Sequence, residues 1–339
     1  MHFWRRATFD LLLWEKALAL MMLLCGSALC TAEVIAGSAH AQRQLERARD
    51  SARHLDYSGI VMYLQGPESH TSRITHTADN GGGMMRVQPQ EGELREFVQR
   101  GSRLTWYLPR QRRVVHDQLI ETQNFPALSF GSASELLAHY RIRERAADRV
   151  AGRQAELLQL QPRDEFRYGY RFWFDAATGL LLRAQSISEA GQVVAQTGFS
   201  QLGDWAPSGK RFRWHEPDLR GWKTEHVASS KADVAGWSFR LTEGFSQVAA
   251  LRRIMGRVPD SAATPRELLQ IVCSDGLAGI SIFIEPWSEA RSTAPAQLGP
   301  VNMLGKRVGR FWLTIVGETP MAALRLVADS LEFTAPPIK

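Results

Sequence analysis

Apolar residues near the start of the sequence recur with the spacing of a helix. Leu45, Ala48, Ala52 and Leu55 follow one another at intervals of three, four and three residues, which places them on one helical face. Residues 56–59 interrupt this pattern and lead into an apolar strand. The sequence therefore predicts a helix that packs along one side, followed by the first strand of a sheet.

Alternating apolar and polar residues then predict antiparallel strands. A short hairpin turn is expected at Arg100–Ser102, and Ser132 or Ser134 is a suitable N-cap for a short helix reaching Tyr140. Four strands then follow one another through short turns, and such connections force antiparallel pairing. These strands are predicted over residues 155–161, 166–174, 180–188 and 192–201.

One of these strands has an aromatic face. Tyr168, Tyr170, Phe172 and Phe174 occupy alternate positions, so their rings point to the same side of the sheet. A curved antiparallel sheet with such a face either packs on helices or leaves a groove for an acyl chain. Core packing is the commoner use of such a face. If a groove is present, Tyr170, Phe172 and Phe174 are the candidate lipid-binding residues.

Beyond residue 236 the pattern predicts a smaller α+β unit. Its final helix should begin at Thr319, a favourable N-cap, with Pro320 in the first helical position. Residues 292–300 are interpreted as a proline-containing loop. Strands are predicted over residues 237–241, 246–254, 269–273, 280–285 and 308–317. The fold class is therefore α+β, with a large antiparallel sheet in the N-terminal part.

Residues 204–236 separate the two parts and lack a clear hydrophobic period. The segment is rich in Trp, Pro, Ser and charged residues, and we interpret it as the connection between two domains, with a strand around 210–214. Aromatic anchors beside arginines are typical of a binding surface for an acidic segment. The alternative is an ordinary solvated face. The candidate partner-binding residues are Arg211, Arg213, Trp214, Arg220 and Trp222.

The first 41 residues have the pattern of a signal peptide. Basic residues Arg5, Arg6 and Lys16 precede a short apolar run over residues 17–29. That run is short for a membrane span. Two cleavage motifs follow, at residues 30–32 and 39–41. We favour cleavage after Ala41, and an uncleaved N-terminal anchor is the alternative.

Charge and cysteine content narrow the functional classes. The chain has 41 Lys and Arg against 35 Asp and Glu, a net charge of +6. This modest, dispersed excess favours anionic partners such as lipid head groups or an acidic protein. It does not resemble a nucleic-acid-binding footprint. Only Cys273 lies beyond residue 41, so a chain cleaved there has no intramolecular disulfide.

The sequence contains no recognisable catalytic or cofactor motif. It has no G-x-S-x-G, no H-E-x-x-H, no Walker loop and no G-x-G-x-x-G. Its histidines are scattered, without metal-ligand spacing. We therefore expect no catalytic residue, no cofactor, no metal and no nucleic-acid partner.

Short segments along the whole chain resemble landmarks of the MucB/RseB family. No single segment is strong, but their order is specific. They are Y-S-G at 57–59, F-V-Q-R-G at 97–101, F-W-F-D at 172–175, G-F-S at 244–246, S-D-G-L at 274–277 and L-T-I-V-G-E at 313–318.

This resemblance implies a fold and a regulatory function. A LolA/LppX-like half-barrel covered by helices, which senses lipid, would be followed by a C-terminal domain that binds an RseA-type membrane anti-sigma factor. The protein would be periplasmic and non-enzymatic. It would shield the anti-sigma factor from the site-1 protease until envelope lipid or lipopolysaccharide releases it, and homo-oligomers are left open. The implied division is 1–41 signal peptide, 42–203 lipid-sensing domain, 204–236 connection and 237–339 anti-sigma-binding domain.

Two other functions are consistent with parts of the sequence. A LolA-type lipid or lipoprotein carrier would share the first domain, but it has no need of residues 237–333. An exported hydrolase is the enzymatic alternative, and it lacks motif support.

We expect the periplasmic protein to begin near Gln42, because basic residues followed by a short apolar run are removed on export. N-terminal sequencing of the protein isolated from the periplasm measures this. A chain that still begins at Met1 and remains in the membrane would contradict the prediction.

Overall fold

A computed structural model describes residues 38–79, 83–118, 125–128, 130–143, 147–203, 216–227, 229–234, 236–255, 266–288 and 294–334. Within these residues the strands form a thirteen-stranded sheet, a seven-stranded sheet and a two-stranded sheet. Gln44–Lys339 group as one compact unit, and Met1–Arg43 group separately. No described helix is both long enough and apolar enough to cross a bilayer.

The thirteen-stranded sheet, called here the large sheet, contains the predicted antiparallel strands. Its strands are β1 (Tyr57–Gln65), β2 (Glu68–Thr77), β3 (Met84–Pro89), β4 (Glu96–Arg100), β5 (Arg103–Leu108), β6 (Arg113–Gln118), β7 (Tyr140–Arg143), β8 (Ala147–Val150), β9 (Arg153–Pro162), β10 (Gly169–Asp175), β11 (Leu181–Ile187), β12 (Val193–Leu202) and β13 (Lys223–His226). The order is β13-β6-β5-β4-β3-β2-β1-β12-β11-β10-β9-β7, and β8 also pairs with β9. The predicted hairpin is β4–β5 and the predicted run of four strands is β9–β12, and both are confirmed as antiparallel.

The first predicted helix is confirmed. Residues 38–54 are helical and form α1. Leu45, Ala48 and Ala52, on the predicted apolar face of the helix, are buried. From the neighbouring face of α1, Ser51 Oγ donates to the carbonyl of Thr178 at 2.5 Å. These contacts fix α1 against the turn that joins β10 to β11.

That turn is organised by a buried carboxylate. Asp175 ends the F-W-F-D segment, and it accepts hydrogen bonds from the backbone nitrogens of Ala177 and Thr178 at 3.1 and 2.8 Å. It also pairs with Arg153 at 2.5 Å. Burial alone would raise the pKa of Asp175, but the hydrogen bonds from Arg153 and Thr178 outweigh it and hold that pKa below its usual value.

The second helix begins where one of its two predicted caps lies. α2 (Ala133–Ala138) has Ser132 as N-cap, whose side chain accepts from the backbone nitrogen of Glu135 at 3.4 Å. The helix ends before Tyr140, because that residue already belongs to β7. The predicted helix is therefore confirmed, with an earlier end.

The seven-stranded sheet, called here the small sheet, packs one face on the last helix, α3 (Met321–Ser330). Its strands are β14 (Ser229–Lys231), β16 (Ser246–Met255), β17 (Arg266–Ser274), β18 (Gly279–Pro286), β19 (Ala296–Leu298), β20 (Val301–Val308) and β21 (Phe311–Gly317), in the order β14-β16-β17-β18-β21-β20-β19. Alternate residues of its central strands, such as Ile271, Ile282 and Ile315, join Leu324 and Val327 of α3 in one core. Cys273 is buried there too, and burial raises the pKa of its thiol to about 12, as expected of a structural thiol.

Four sequence-based boundaries in the C-terminal part were wrong. Only β15 (Trp237–Ser238) of the predicted strand 237–241 is paired, with β22 (Glu332–Phe333), while Phe239 and Leu241 pack on the core outside any strand. The predicted strand 308–317 spans a turn, because Val308 ends β20 and β21 begins at Phe311. The expected loop 292–300 contains β19. The N-cap of α3 is Pro320 rather than Thr319.

The connection contributes strands to both sheets. β13 adds to the large sheet by parallel pairing with β6, and β14 adds to the small sheet by antiparallel pairing with β16. The strand expected around 210–214 lies outside the described residues. The proposed domain boundaries at 203/204 and 236/237 stay predictions.

Candidate functional site

The large and small sheets meet at a buried arginine. Arg167 lies just before β10 and its side chain is fully buried. Nε donates to Asp164 at 3.0 Å, Nη1 donates to the equally buried Asp275 at 3.0 Å, and Nη2 donates to the carbonyl of Glu243. A buried guanidinium must be paired and hydrogen-bonded to offset its lost hydration. These four residues, called here the arginine clasp, therefore hold segments of both sheets together.

Each carboxylate of the clasp is oriented by its own turn. Asp275, in the S-D-G-L segment, accepts from the backbone nitrogens of Leu277 and Ala278 at 2.9 and 2.7 Å. Asp164 accepts from the backbone nitrogen of Phe166 at 3.0 Å. Such hydrogen bonds from the local backbone orient a carboxylate independently of its ion-pair partner. The clasp is therefore preorganised on both sides.

A close backbone approach supports the clasp. Gly244 has a φ of +84°, which favours glycine. A Cβ atom at that position would lie 2.4 Å from Nε2 of His139. The G-F-S segment thus lets the chain before β16 pass the end of α2, and the neighbouring Glu243 carbonyl can reach Arg167.

Other polar pairs cross the same junction. They range from the buried Asn302–Tyr168 pair to the exposed Gln65–Leu298 pair. Asn302 Nδ2 donates to the Tyr168 hydroxyl oxygen at 3.1 Å, Gln65 Nε2 donates to the carbonyl of Leu298 at 2.5 Å, and Arg253 Nη2 donates to Asp117 at 2.8 Å.

A cavity of about 1000 Å³ lies beside the clasp, between α2 and the face of the small sheet opposite α3. Val248, Val272 and Phe283 contribute to an apolar floor, and Val248 is 47 % exposed. Leu136 of α2 and Phe130 contribute on the other side. A floor of this kind suits the apolar side chains of an extended peptide segment.

The cavity also presents acidic groups. Glu135, Glu243 and Glu318 line it, together with Arg53. Glu318 is exposed on the wall of the cavity, and partial desolvation by the neighbouring protein raises the pKa of its carboxyl group. The arrangement offers hydrogen bonding and charge at the rim of an apolar surface. Among the described residues, no cluster of His, Cys, Asp and Glu is placed to hold a metal.

The predicted partner-binding residues fall into two groups. Arg211, Arg213 and Trp214 lie outside the described residues. Arg220 is 91 % exposed in its side chain and pairs with Asp218. Trp222 is half-buried against the core made by Met84, Val98, Tyr107 and Val114. Trp222 therefore anchors the connection to the large sheet, and a role of these residues in partner binding stays a prediction.

The candidate lipid-binding residues form an aromatic ladder. Tyr170, Phe172 and Phe174 are only 7 %, 2 % and 2 % exposed. The rings of Tyr170 and Phe172 stack with centroids 5.5 Å apart, and Tyr140 packs edge-on against Tyr170 at 6.1 Å. In this conformation the face is covered by protein, so an acyl chain would need a covering element to move. Lipid binding at these residues stays a prediction.

Sequence reasoning missed the arginine clasp. The sequence analysis did not single out Asp164, although Asp164 and Arg167 have the i, i+3 spacing of an ion pair. Asp275 was noted within the S-D-G-L segment without a role. Nothing in local sequence links Arg167 to an aspartate 108 residues away.

Comparison with known proteins gives a family match over most of the chain. Residues 40–206 match the model of the MucB/RseB N-terminal domain, and residues 231–332 match that of the MucB/RseB C-terminal domain. The sigma factor AlgU regulatory protein MucB of Pseudomonas aeruginosa is 31% identical over 322 residues, covering 92% of this chain and 96% of MucB. The sigma-E factor regulatory protein RseB of Escherichia coli K12 is 24% identical, covering 93% of this chain and 97% of RseB.

Solved structures show the same fold. A crystal structure of MucB in complex with MucA(peri) matches with a TM-score of 0.65 and 26% identity, covering 87% of this chain and all of that chain. A structure of the Pseudomonas aeruginosa MucA/MucB complex matches with a TM-score of 0.66 and 25% identity, covering 88% of this chain and 100% of that chain. Both sheets are thus shared with these structures.

We expect Asp275→Asn to lower the free energy of unfolding by about 3 kcal/mol, because it leaves the buried Arg167 without a full counter-charge. Urea denaturation of the mature chain measures this. Glu267→Gln is the matched control, since Glu267 pairs with Arg252 at the surface, where such pairs contribute about 0–1 kcal/mol. Equal losses in the two variants would contradict a structural role for the clasp.

Proposed function

Because this chain belongs to the MucB/RseB family, we propose that it is a periplasmic negative regulator of a sigma-E-type factor. It binds the periplasmic part of a membrane anti-sigma factor of the RseA type and shields it from site-1 proteolysis. One observation carries this proposal: the chain is similar, over nearly its whole length, to a MucB chain crystallised with MucA(peri).

The proposed docking surface consists of the small sheet and the connection. The cavity beside the clasp supplies an apolar floor, and interface cores are apolar with polar rims. Arg211, Arg213 and Trp214 are proposed to contact an acidic part of the anti-sigma segment, with Arg220 and Trp222 flanking them. Guanidinium groups beside carboxylates form strong charge-assisted hydrogen bonds.

Docking of this kind explains protection from proteolysis. A protease acts on a segment that is extended and accessible, and a segment ordered against the small sheet is neither free nor accessible. Because the clasp fixes the two sheets, the surface is preformed and less ordering free energy opposes binding.

Release is proposed to come from lipid. An acyl chain that enters the aromatic ladder of Tyr170, Phe172 and Phe174 would displace an element covering that face. If the lipid-bound form binds the anti-sigma segment less well, each ligand weakens the other by the same coupling free energy. Burial of each methylene contributes about 0.8 kcal/mol, so even a shallow site gives useful affinity.

A LolA-type carrier of lipid or lipoprotein is the alternative function. Such a carrier needs one lipid-binding domain, whereas this chain holds a second sheet in place with a fully buried arginine. The clasp therefore favours a protein whose second sheet takes part in function. The absence of motifs for an exported hydrolase in the sequence further favours a binding protein over an enzyme.

We expect Arg211→Glu with Arg213→Glu to weaken binding of the host's anti-sigma periplasmic segment by at least about tenfold, because two favourable charges become repulsive. Cleavage of that segment by site-1 protease should be faster in the reconstituted mixture. Calorimetry and a cleavage time course measure the two effects, and circular dichroism checks the fold.

The matched control is Arg141→Glu with Arg143→Glu. These exposed residues lie on β7, at the opposite edge of the large sheet from β13, and the change in net charge is identical. Full protection by the Arg211/Arg213 variant would remove the connection from the interface. Equal weakening by both variants would show that only overall charge matters.

We expect a fluorescent fatty acid to bind the delipidated mature chain saturably and to release the bound anti-sigma segment. Phe172→Leu, which removes one ring of the ladder, should weaken fatty-acid binding, whereas Phe239→Leu in the C-terminal part should not. Fluorescence titration measures binding, and release is followed by size-exclusion chromatography. Non-saturable binding would show that the ladder serves only as core.

A further inference from the structure

A second pocket lies at the β13 edge of the large sheet. Its volume is about 580 Å³, and its lining includes Arg100, Arg103, His116 and His226. Arg100 and Arg103 flank the tight turn of the β4–β5 hairpin, and His116 and His226 lie on β6 and β13. The pocket is therefore framed by strand ends rather than by a single loop.

The pairing register gathers like charges on one face of the sheet. Arg100 is directly opposite Arg103, and His116 is directly opposite His226. Thr105, two residues beyond Arg103, is opposite His116, so all these side chains share one face. Like charges directly opposite each other are unfavourable in a sheet. An anion seated between them would turn this repulsion into attraction.

The histidines are arranged to donate hydrogen bonds into the pocket. Their rings stack with centroids 5.0 Å apart. Nδ1 of His116 lies 3.0 Å from Oγ1 of Thr105, which leaves its Nε2 for a ligand. Desolvation, followed by the nearby His226 and Arg103, lowers the pKa of His116. A bound anion would reverse the last two effects.

Two carboxylates lie near the pocket. Asp117 is part of its lining and pairs with Arg253 of the small sheet at 2.8 Å. Glu216, on the segment packed against this face, accepts a hydrogen bond from the Tyr107 hydroxyl at 3.1 Å and acts to raise the pKa of His116. Both groups therefore moderate the positive charge of the pocket, and both already have a partner.

We propose that this pocket is a binding site for a phosphate group, held by Arg103, His116 and His226 with Arg100 at its rim. Guanidinium forks match the oxygens of a tetrahedral dianion, and each imidazolium adds a charged donor. The pKa of His116 is lowered in the free protein, so an anion of constant charge should bind more tightly as the pH falls and His116 becomes protonated. This inference goes beyond the proposed function and does not depend on it.

The test is calorimetric titration of the full mature chain with inorganic phosphate at constant ionic strength, at about pH 7.5 and about pH 5.5. We expect one saturable site for phosphate. Sulfate keeps a constant charge over this range, whereas phosphate gains a proton, so sulfate should bind more tightly at the lower pH and this change is assigned to His116. Arg103→Gln should weaken binding by about tenfold at both pH values, His226→Gln should also weaken binding, and His116→Gln should remove most of the pH dependence of sulfate binding.

Arg141→Gln serves as control, because it removes one exposed arginine from the opposite edge of the sheet. Phosphatidylcholine vesicles with and without phosphatidic acid distinguish the source of the phosphate. Binding of free phosphate, or of phosphatidic acid vesicles alone, supports the site if Arg103→Gln and His226→Gln weaken it and Arg141→Gln does not. Absence of binding to both probes, or binding that the folded Arg103→Gln and His226→Gln variants retain, would overturn the proposal.

Discussion

The geometry of this protein depends on one fully buried guanidinium. Arg167 can be desolvated only when Asp164, Asp275 and the carbonyl of Glu243 are all in place. Those groups belong to segments that precede or join strands of two different sheets, so satisfying the arginine fixes the sheets relative to each other. The hydrogen bonds that Arg167 needs therefore hold the two sheets in one fixed arrangement. The cavity between α2 and the small sheet is already formed in that arrangement.

That constraint also separates two surfaces of opposite character. The cavity beside the clasp combines an apolar floor with Glu135, Glu243 and Glu318. The pocket at the β13 edge instead gathers arginines and histidines. Peptide-like and phosphate-like ligands therefore have different places to bind. The connection lines the pocket at the β13 edge, and its strands β13 and β14 pair with different sheets.

Local patterns predicted the elements that depend on local forces. Apolar spacing predicted α1 and its buried face. Alternating residues and short turns predicted the β4–β5 hairpin and the strands β9–β12. β19 was missed because it has only three residues, too few for an alternating pattern to be recognised. The parallel pairing of β13 with β6 joins residues about a hundred positions apart, as Lys223 does with Arg113, and no local pattern contains such a pair. The candidate site was less predictable still, because Arg167 and Asp275 are far apart in the sequence and form an ion pair only when the two sheets pack together.

The central claim is that an anti-sigma segment docks on the small sheet and the connection of a rigid two-sheet unit. Hydrogen–deuterium exchange of the mature chain, alone and saturated with the host's anti-sigma periplasmic segment, tests this directly. The account predicts slower exchange in β16, β17 and β18 and in residues 216–227, with β1–β12 largely unchanged. Protection confined to β1–β12, or no protection at saturation, would contradict it.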